Sequence, residues 1–516
     1  MDNKLITTLL ALPSIFLVLV ALVVGGVSIV VYRLWLHPLA PFPGPKLWGA
    51  TRLPWIRNIS RGWMWLKIEH LHEQYGSIVR IAPTELSFSS PGAWEDIYSS
   101  RPLLPKEPSS QTPPLNGAHS LFTALDDDHR RLRGALAAGF SDKALRDQAP
   151  LIEHHATELV ARLRRELAAS AVPILNIQKF FGYAALDTIT DLSYGESMNG
   201  LADRNEHGWI ARFFLHGRFS TVRMCLCWCS PLDKILDFLF LALTRKQRAK
   251  NWAIFSAKIE RRLMKGDMEG QRSDLVTPVI GKVIDEAESK GPKARGITKK
   301  ELLSHCLASV VANSQLTTVA LTTCTYLLLR NKRAVERQTA EIREAFASEE
   351  EISVQSTQGL VYLDAVLHET MRVRHPTPIN LPRVVPPEGR VIDGTFIPGN
   401  TIVGINLHVC QTNPANWVDG HAFHPERFLP ASDARYERRF DGDVKAAYMP
   451  FSTGPMNCVG GKLFFAEARV TMAKLLWNFD LKSADVDIDT WLDRRAYIVW
   501  EPKELRVELI DRRIKN

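Results

Sequence analysis

The chain has 516 residues, 46% of them hydrophobic, and a formal charge of +8, so a large core is affordable and extensive disorder is excluded. Seven scattered cysteines form no disulfide framework and suit a reducing compartment. The basic residues are dispersed rather than gathered in a stripe, which argues against nucleic acid and leaves a solvated surface, a membrane or a redox partner for that charge to serve.

No Gly/Ser linker, acidic run or internal repeat divides the chain, so the expectation is one large domain behind an N-terminal anchor. Leu5 to Tyr32 carries no charged residue. Roughly 20 apolar residues cross the hydrocarbon, so this stretch predicts a membrane span. A cleaved signal peptide is disfavoured, because the run is too long and ends in Val31-Tyr32-Arg33 rather than small residues. Arg33, Lys46, Arg52, Arg57 and Arg61 follow the span and only Lys4 precedes it, which puts the bulk of the chain in the cytosol. Pro38, Pro41, Pro43 and Pro45 predict a stiff, extended tether. The expected boundaries are an anchor over 1–36, a hinge over 37–50 and a domain over 51–516.

Tyr75 to Ser90 predicts two short strands turning at Pro83. Leu104 to Leu121 is a Pro/Ser/Asn-rich loop without periodicity. Asp126, Asp127 and Asp128 precede His129-Arg130-Arg131-Leu132-Arg133, acids before bases as a helix dipole prefers, with His129 and Arg133 one turn apart on one face. Gly208 to Leu243 is apolar and aromatic, and its Cys225, Cys227 and Cys229 are too closely spaced for a zinc site, so a lipophilic roof over a pocket, partly dipping into the membrane, is preferred. Leu302 to Leu329 has no charged residue but many Ser, Thr, Asn and Gln, which predicts a helix of about 42 Å through the protein interior rather than a second span.

Leu363 to Arg374 is an amphipathic helix stopped by Pro376, with Glu369 and Arg372 on one face, either a solvent-exposed ion pair or part of a network. Strands are expected from Arg383 to Val403. Tyr497–Trp500 and Leu505–Leu509 alternate like a closing hairpin, and the turn near Trp491 is a candidate pocket lining.

The segment around which the rest is organised is Phe451-Ser452-Thr453-Gly454-Pro455-Met456-Asn457-Cys458-Val459-Gly460. One cysteine sits in a glycine turn with a phenylalanine seven residues before it and helical periodicity from Leu463 to Leu476 after it. A thiolate ligand for iron needs such a turn, with backbone N–H groups and a helix N-terminus facing the sulfur and an aromatic ring shielding it. A buried structural cysteine in a Gly/Pro turn is the other reading of the decapeptide taken alone.

That segment resembles the Phe-x-x-Gly-x-Arg-x-Cys-x-Gly haem loop of the cytochrome P-450 superfamily, with Met456 in the arginine position. The resemblance implies a mostly α fold with a small β lobe and an N-terminal transmembrane helix. It implies heme b as cofactor, with Cys458 the metal ligand, Phe451, Gly454 and Gly460 shaping its loop, and His129, Arg133 and Arg383 meeting haem propionates. It also makes Glu369, Arg372 and Arg427 of Pro425-Glu426-Arg427-Phe428 a structural triad, the proline run a hinge, and the 104–121 loop a cover for the substrate pocket, although a plain surface loop is equally compatible. The family's proton-delivery element, Ala/Gly-Gly-x-Asp/Glu-Thr-Thr, corresponds here to Ala312-Asn313-Ser314-Gln315-Leu316-Thr317. Gln315 occupies the acid's place but cannot act as one, Leu316 has no hydroxyl, and Thr317, a third of a turn on, substitutes only if the helix is locally distorted. The flanking phrases resemble fungal enzymes of secondary metabolism. The implied activity is a membrane-bound monooxygenase of the endoplasmic reticulum, single-pass with a cytosolic catalytic domain, acting on a lipophilic terpenoid or polyketide with electrons from NADPH through a flavoprotein reductase. The departures at 315 and 316 keep two alternatives open: a coupling, dehydration or rearrangement, and a non-catalytic member.

Overall fold

The structure is a computed structural model and describes residues 3–514 apart from 111–113, 115–116, 203–217, 220, 229–231, 267–272, 286–287, 291–294 and 486–487. The apolar N-terminal stretch is a helix, Asn3–Val31, continued by a π-helical turn, Tyr32–Leu36. Phe16–Leu36 is long and apolar enough to cross a membrane, and none of it is buried against the protein.

The proline-rich segment is docked rather than free. Leu39 is fully buried, the Arg80 N–H donates to the Pro43 carbonyl at 2.7 Å, and a Cβ at Gly44 would lie 2.5 Å from the Arg80 carbonyl oxygen. The Arg80 guanidinium donates to the carbonyls of Arg33 at 2.9 Å and Pro83 at 2.8 Å, while Arg33 donates to the Ala50 carbonyl at 2.9 Å. Chain entry is thereby hydrogen-bonded to the small sheet.

That sheet has four strands. Ile78–Ala82 runs antiparallel to Glu85–Phe88, which is parallel to Ile402–Ile405, and Arg383–Val384 closes the order antiparallel to Ile402–Ile405. Arg383 pairs with Val403 on one side and bridges to Lys106 on the other, so the edge of the sheet carries two basic residues together.

The uncharged stretch is one continuous helix, Lys299–Arg330, started by a capping box in which Thr298 and Glu301 bond each other's backbone N–H groups. Its interior hydroxyls are satisfied within the helix. Ser314 donates to the Val310 carbonyl at 2.6 Å, Thr322 to that of Thr318 at 2.6 Å and Thr325 to that of Leu321 at 2.9 Å. These hydroxyls therefore pass through a dry core at little cost. This central helix packs on the helix Ile177–Tyr194 through Leu321, Leu328, Phe180 and Phe181.

Glu369 and Arg372 are not a surface pair: both lie fully buried in the helix Val361–Val373, joined at 2.7 Å. Arg427 meets Glu369 at 3.1 Å and also Asp443 at 2.5 Å, a fourth member that balances two acids against two bases.

The C-terminal hairpin expected from alternation does not form. Arg506–Asp511 pairs with Phe479–Ser483 and Ile174–Asn176, while residues 497–500 make only a tight bridge between Ala496 and Trp500. Trp500 is the reason: its fully buried ring packs on Trp65 and its N–H donates to the His375 carbonyl at 2.7 Å, which folds the segment inward. Of the apolar stretch 208–243, residues 208–217, 220 and 229–231 lie outside the described residues. Of its cysteines, Cys225 is buried with its sulfur 3.9 Å from the Ile56 carbonyl, and the helix Leu232–Met264 exposes Phe238 and Leu243.

His72, His305 and His375 are buried, and burial holds each pKa down to about 4. The unfolded chain takes up these protons near its ordinary value of about 6.5, so stability present above that pH is lost as pH falls towards about 4. A thermal midpoint that fell over this interval, and recovered in part for His305→Gln, is the expected result; a flat profile would show that other groups offset them.

Candidate functional site

The Cys458 N–H donates to the Phe451 carbonyl at 2.9 Å, which closes the loop. Gly454 has φ +76°, and a Cβ there would lie 2.1 Å from the Tyr98 carbonyl oxygen, so only glycine lets the loop pass the helix Ala93–Tyr98 this closely. Gly460 sits just before the helix Gly461–Asn478. Phe451 packs under that helix start, its ring 5.9 Å from Phe464 and 5.7 Å from Phe465.

Burial pushes the Cys458 thiol above its usual pKa, opposed by the Gly460 N–H, the Arg133 charge and the Gly461 N–H, which favour the thiolate. Yet Cys458 is exposed, alone among the described cysteines. A group both deeply surrounded and open lies on the floor of a concavity. A metal bound there removes the thiol proton, and the two N–H groups are already aimed at the resulting anion. Among the described residues no three His, Cys, Asp or Glu converge on a common point. One sulfur is then what the protein offers, and it suits a metal that brings its own ligand frame.

Positive charge gathers around the loop. Arg133, on the helix Asp126–Leu136, donates to the Asn457 carbonyl at 2.6 Å and to Asn457 Oδ1 at 2.5 Å. Arg383 is buried against the Tyr98 ring at 5.1 Å, with Nη2 4.0 Å from Met456 Sδ. Lys106 donates to the carbonyls of Phe122 and Ala124. Burial, then the charges of Lys106, Arg133 and Arg383, hold the buried His129 down to about 4, so it is neutral at pH 7. Burial also lowers Arg133 and Arg383, and neither pairs with a carboxylate among the described residues. Uncompensated cations beside a concave sulfur fit an iron porphyrin, whose propionates are anionic.

On the central helix, Ala312 is exposed and Leu316, one turn on, is half-buried, whereas Ser314, Gln315 and residues 317–328 are buried. Gln315 is buried with its Nε2 unpartnered among the described residues. Thr317 is buried, and its hydroxyl donates to Asn313 Oδ1 at 2.6 Å. The helix is regular here, without the local distortion that bringing Thr317 into the alcohol's position requires.

A model of the family described as Cytochrome P450 matches residues 41–509. The chain belongs to the cytochrome P450 family. It is 35% identical over 506 residues to averantin hydroxylase of Dothistroma septosporum, covering 96% of this chain and 91% of that one. It is 35% identical over 483 residues to versicolorin B desaturase stcL of Emericella nidulans, covering 93% and 95%. The cytochrome P450 monooxygenase atr2 of Stereocaulon alpinum is 32% identical over 483 residues, covering 93% and 92%. The protein is thus a P450 monooxygenase of the kind found in fungal secondary metabolism. Such enzymes carry haem, take electrons from a redox partner and act on hydrophobic substrates.

Three of this P450's cluster residues were not singled out by motif. Lys106 stands in a loop without periodicity and is identified only by its bridge to Arg383, whereas Asn457 and Asn313 are revealed by the hydrogen bonds they accept. For Arg133→Ala, haem affinity is expected to fall roughly 10–100-fold, as losing a partner behind a metal ligand does. Haemin titration of the apoprotein checks this, and unchanged affinity would make the Asn457 contact dispensable.

Proposed function

We propose that this P450 holds heme b through Cys458 and oxidises a lipophilic polyketide, anchored by residues 1–36 in the endoplasmic reticulum membrane with its domain, 51–516, in the cytosol and residues 37–50 as a docked, proline-rich connection rather than a free hinge. The observation that carries the reading is the exposed sulfur on a buried floor, faced by two backbone N–H groups and flanked by two guanidinium groups without a carboxylate partner among the described residues. The haem, when bound, supplies oxygen activation, which a thiolate ligand favours.

The chain's own residues do the rest. Cys458 would be the iron's protein ligand, Phe451 would shield its loop, and Arg133, Arg383, Lys106 and His129 would hold the propionates. Met456 carries no charge, so Arg383 would take a larger share of the propionates than it would beside an arginine. Gln315 and Thr317 stand in the stretch of the central helix that corresponds to the family's proton-delivery element. Electrons come from NADPH through a flavoprotein reductase that the basic surface attracts. A polyketide is preferred to a terpenoid because averantin and versicolorin B give two relatives their names.

A second reading, a desaturation, coupling or rearrangement without net hydroxylation, is favoured by Gln315 and Leu316 in place of an acid and an alcohol, and by the relative named a desaturase. Purified protein with reductase, NADPH and a panel of anthraquinone polyketides tests both. The primary reading expects the thiolate-type spectrum of the reduced, carbon monoxide-bound form and a product one oxygen heavier; a product two hydrogens lighter, or an isomer of the substrate, selects the second, and no thiolate-type spectrum refutes both. Deleting residues 1–36 is expected to release the protein from membranes without changing that spectrum.

A further inference from the structure

Two further arginines, Arg374 and Arg494, are each only 6% exposed and pair with no carboxylate among the described residues. Aromatic rings take up part of their charge: Arg374 stands 3.8 Å from the Trp500 ring and 4.4 Å from that of Trp65, and Arg494 stands 4.2 Å from that of Trp491. Arg374 donates to the Leu492 carbonyl and Arg494 to Thr323 Oγ1 at 3.2 Å, while the Nε of both and the Trp65 N–H are without a partner among the described residues. Glu69 and Asp493 bear on Arg374 by charge alone, and Glu69 is engaged by His408 at 3.3 Å. Burial, then the charge of Arg374, holds Arg494 down to about 9. A buried cation with a donor to spare is costly until an anion meets it.

Arg494 is also the floor of a cavity. About 250 Å³ of space lies beside it, walled by Trp63 and rimmed by Arg495, Lys503, Asp493 and Glu501. Backbone bonds fix the walls: the Ala496 N–H donates to the Gly62 carbonyl at 2.8 Å and the Glu501 N–H to that of Arg495 at 2.8 Å. Of the two acids Asp493 is exposed and Glu501 half-buried, so the charge at the buried end is the Arg494 guanidinium. The volume is below the roughly 300–1,000 Å³ that encloses a whole drug-sized ligand, so it suits one end of a larger molecule. A planar aromatic end bearing a carboxylate or phenolate matches both surfaces, stacking on the indole and pairing with the guanidinium.

The Thr323 contact ties this floor to the central helix. Thr323 stands nearly two turns past Leu316, on almost the same face and about 10 Å further along the axis. Val319, between them, packs with Trp65 and Trp500. Whatever Arg494 holds therefore bears on the helix that borders the proposed haem site.

We infer that this cavity is an anion-binding vestibule for aromatic acids, in which Arg494 pairs with the carboxylate or phenolate of the substrate and Trp63 stacks on its ring. The inference deepens the proposed function, on which the choice of an aromatic substrate rests. A phosphate, free or on a lipid headgroup, offers a similar oxyanion, and the test separates these sources.

The test is calorimetric titration of the full-length, detergent-solubilised holoprotein with 2-naphthoate. The acid is expected to bind and its methyl ester not to. Arg494→Gln is expected to weaken the acid roughly 10–100-fold, the worth of a bond to a charged group, and Trp63→Ala roughly 2–10-fold. Asp493→Asn, at an exposed position, is expected to tighten it severalfold. Equal affinity for acid and ester, or an unchanged affinity in folded Arg494→Gln, overturns the inference; if that variant does not fold, unchanged affinity in both Trp63→Ala and Asp493→Asn does so. Displacement of naphthoate by phosphatidic acid vesicles or by inorganic phosphate, at concentrations below those at which naphthoate itself binds, would assign the site to a lipid or to free phosphate and overturns it as well. The haem reading is judged apart, by the thiolate-type spectrum of each variant. Naphthoate bound as expected, with no polyketide oxidised, would sink the proposed function and leave the vestibule standing.

Discussion

Cys458→Ala is expected to abolish the absorption band that marks thiolate-ligated, carbon monoxide-bound haem, and to lower turnover by more than the roughly 100-fold that losing an outer partner of a metal ligand costs. The reason is the lack of any substitute. The other described cysteines are buried or half-buried, and burial lifts Cys306, Cys324 and Cys410 far above the thiol range. The loop itself should survive, because its closing bond uses the backbone N–H of residue 458 and its close approach to Tyr98 is made by Gly454. The variant is therefore expected to be folded by circular dichroism and spectrally silent. A retained band would mean that the sulfur of another residue reaches the iron.

The second large effect is on folding. Arg372→Ala removes both bonds to Glu369 at 2.7 Å and strips the carbonyls of Gln411 at 2.7 Å, Gly420 at 2.6 Å and Ala422 at 3.0 Å of a shared donor. It also leaves buried Glu369 and Asp443 sharing Arg427, with the half-exposed Lys445 3.6 Å from Asp443 as the one other cation beside them among the described residues. Breaking a buried pair from one side costs about 3–5 kcal/mol, a large part of the roughly 5–15 kcal/mol that holds a domain together. Little soluble protein, or a denaturation midpoint shifted well down, is expected. Arg372→Lys should fall between, since one ammonium cannot supply the forked set of donors. An alanine variant with an unchanged midpoint would show that the network contributes specificity and not stability.

What could be read from the chain alone followed the range of the interactions concerned. The cysteine loop is local: its glycines, its phenylalanine and the helix behind it lie within a few turns, so spacing reveals it. The central helix is legible because twenty-eight residues without a charge, 302 to 329, leave few other structures open. Asp443 escaped because its partner Arg427 is distant along the sequence, and Lys106 because its place depends on a strand edge formed near residue 383. Arg494 is the clearest case. A base between Asp493 and Arg495 reads as part of a solvated run until packing buries it. The C-terminal hairpin was misjudged for the opposite reason: alternation shows that a segment has two faces, but not which neighbour it will pair with.

The Arg80 clamp on the carbonyls of residues 33 and 83 has a mechanical consequence. A freely jointed leash would let the catalytic body roll over the bilayer, presenting any side to the headgroups. Here the stalk is bolted to the body at its base, so the tilt of the stalk in the lipid and the pose of the body above it are one variable instead of two. Whatever greasy molecule partitions into the leaflet meets the same side of the enzyme every time.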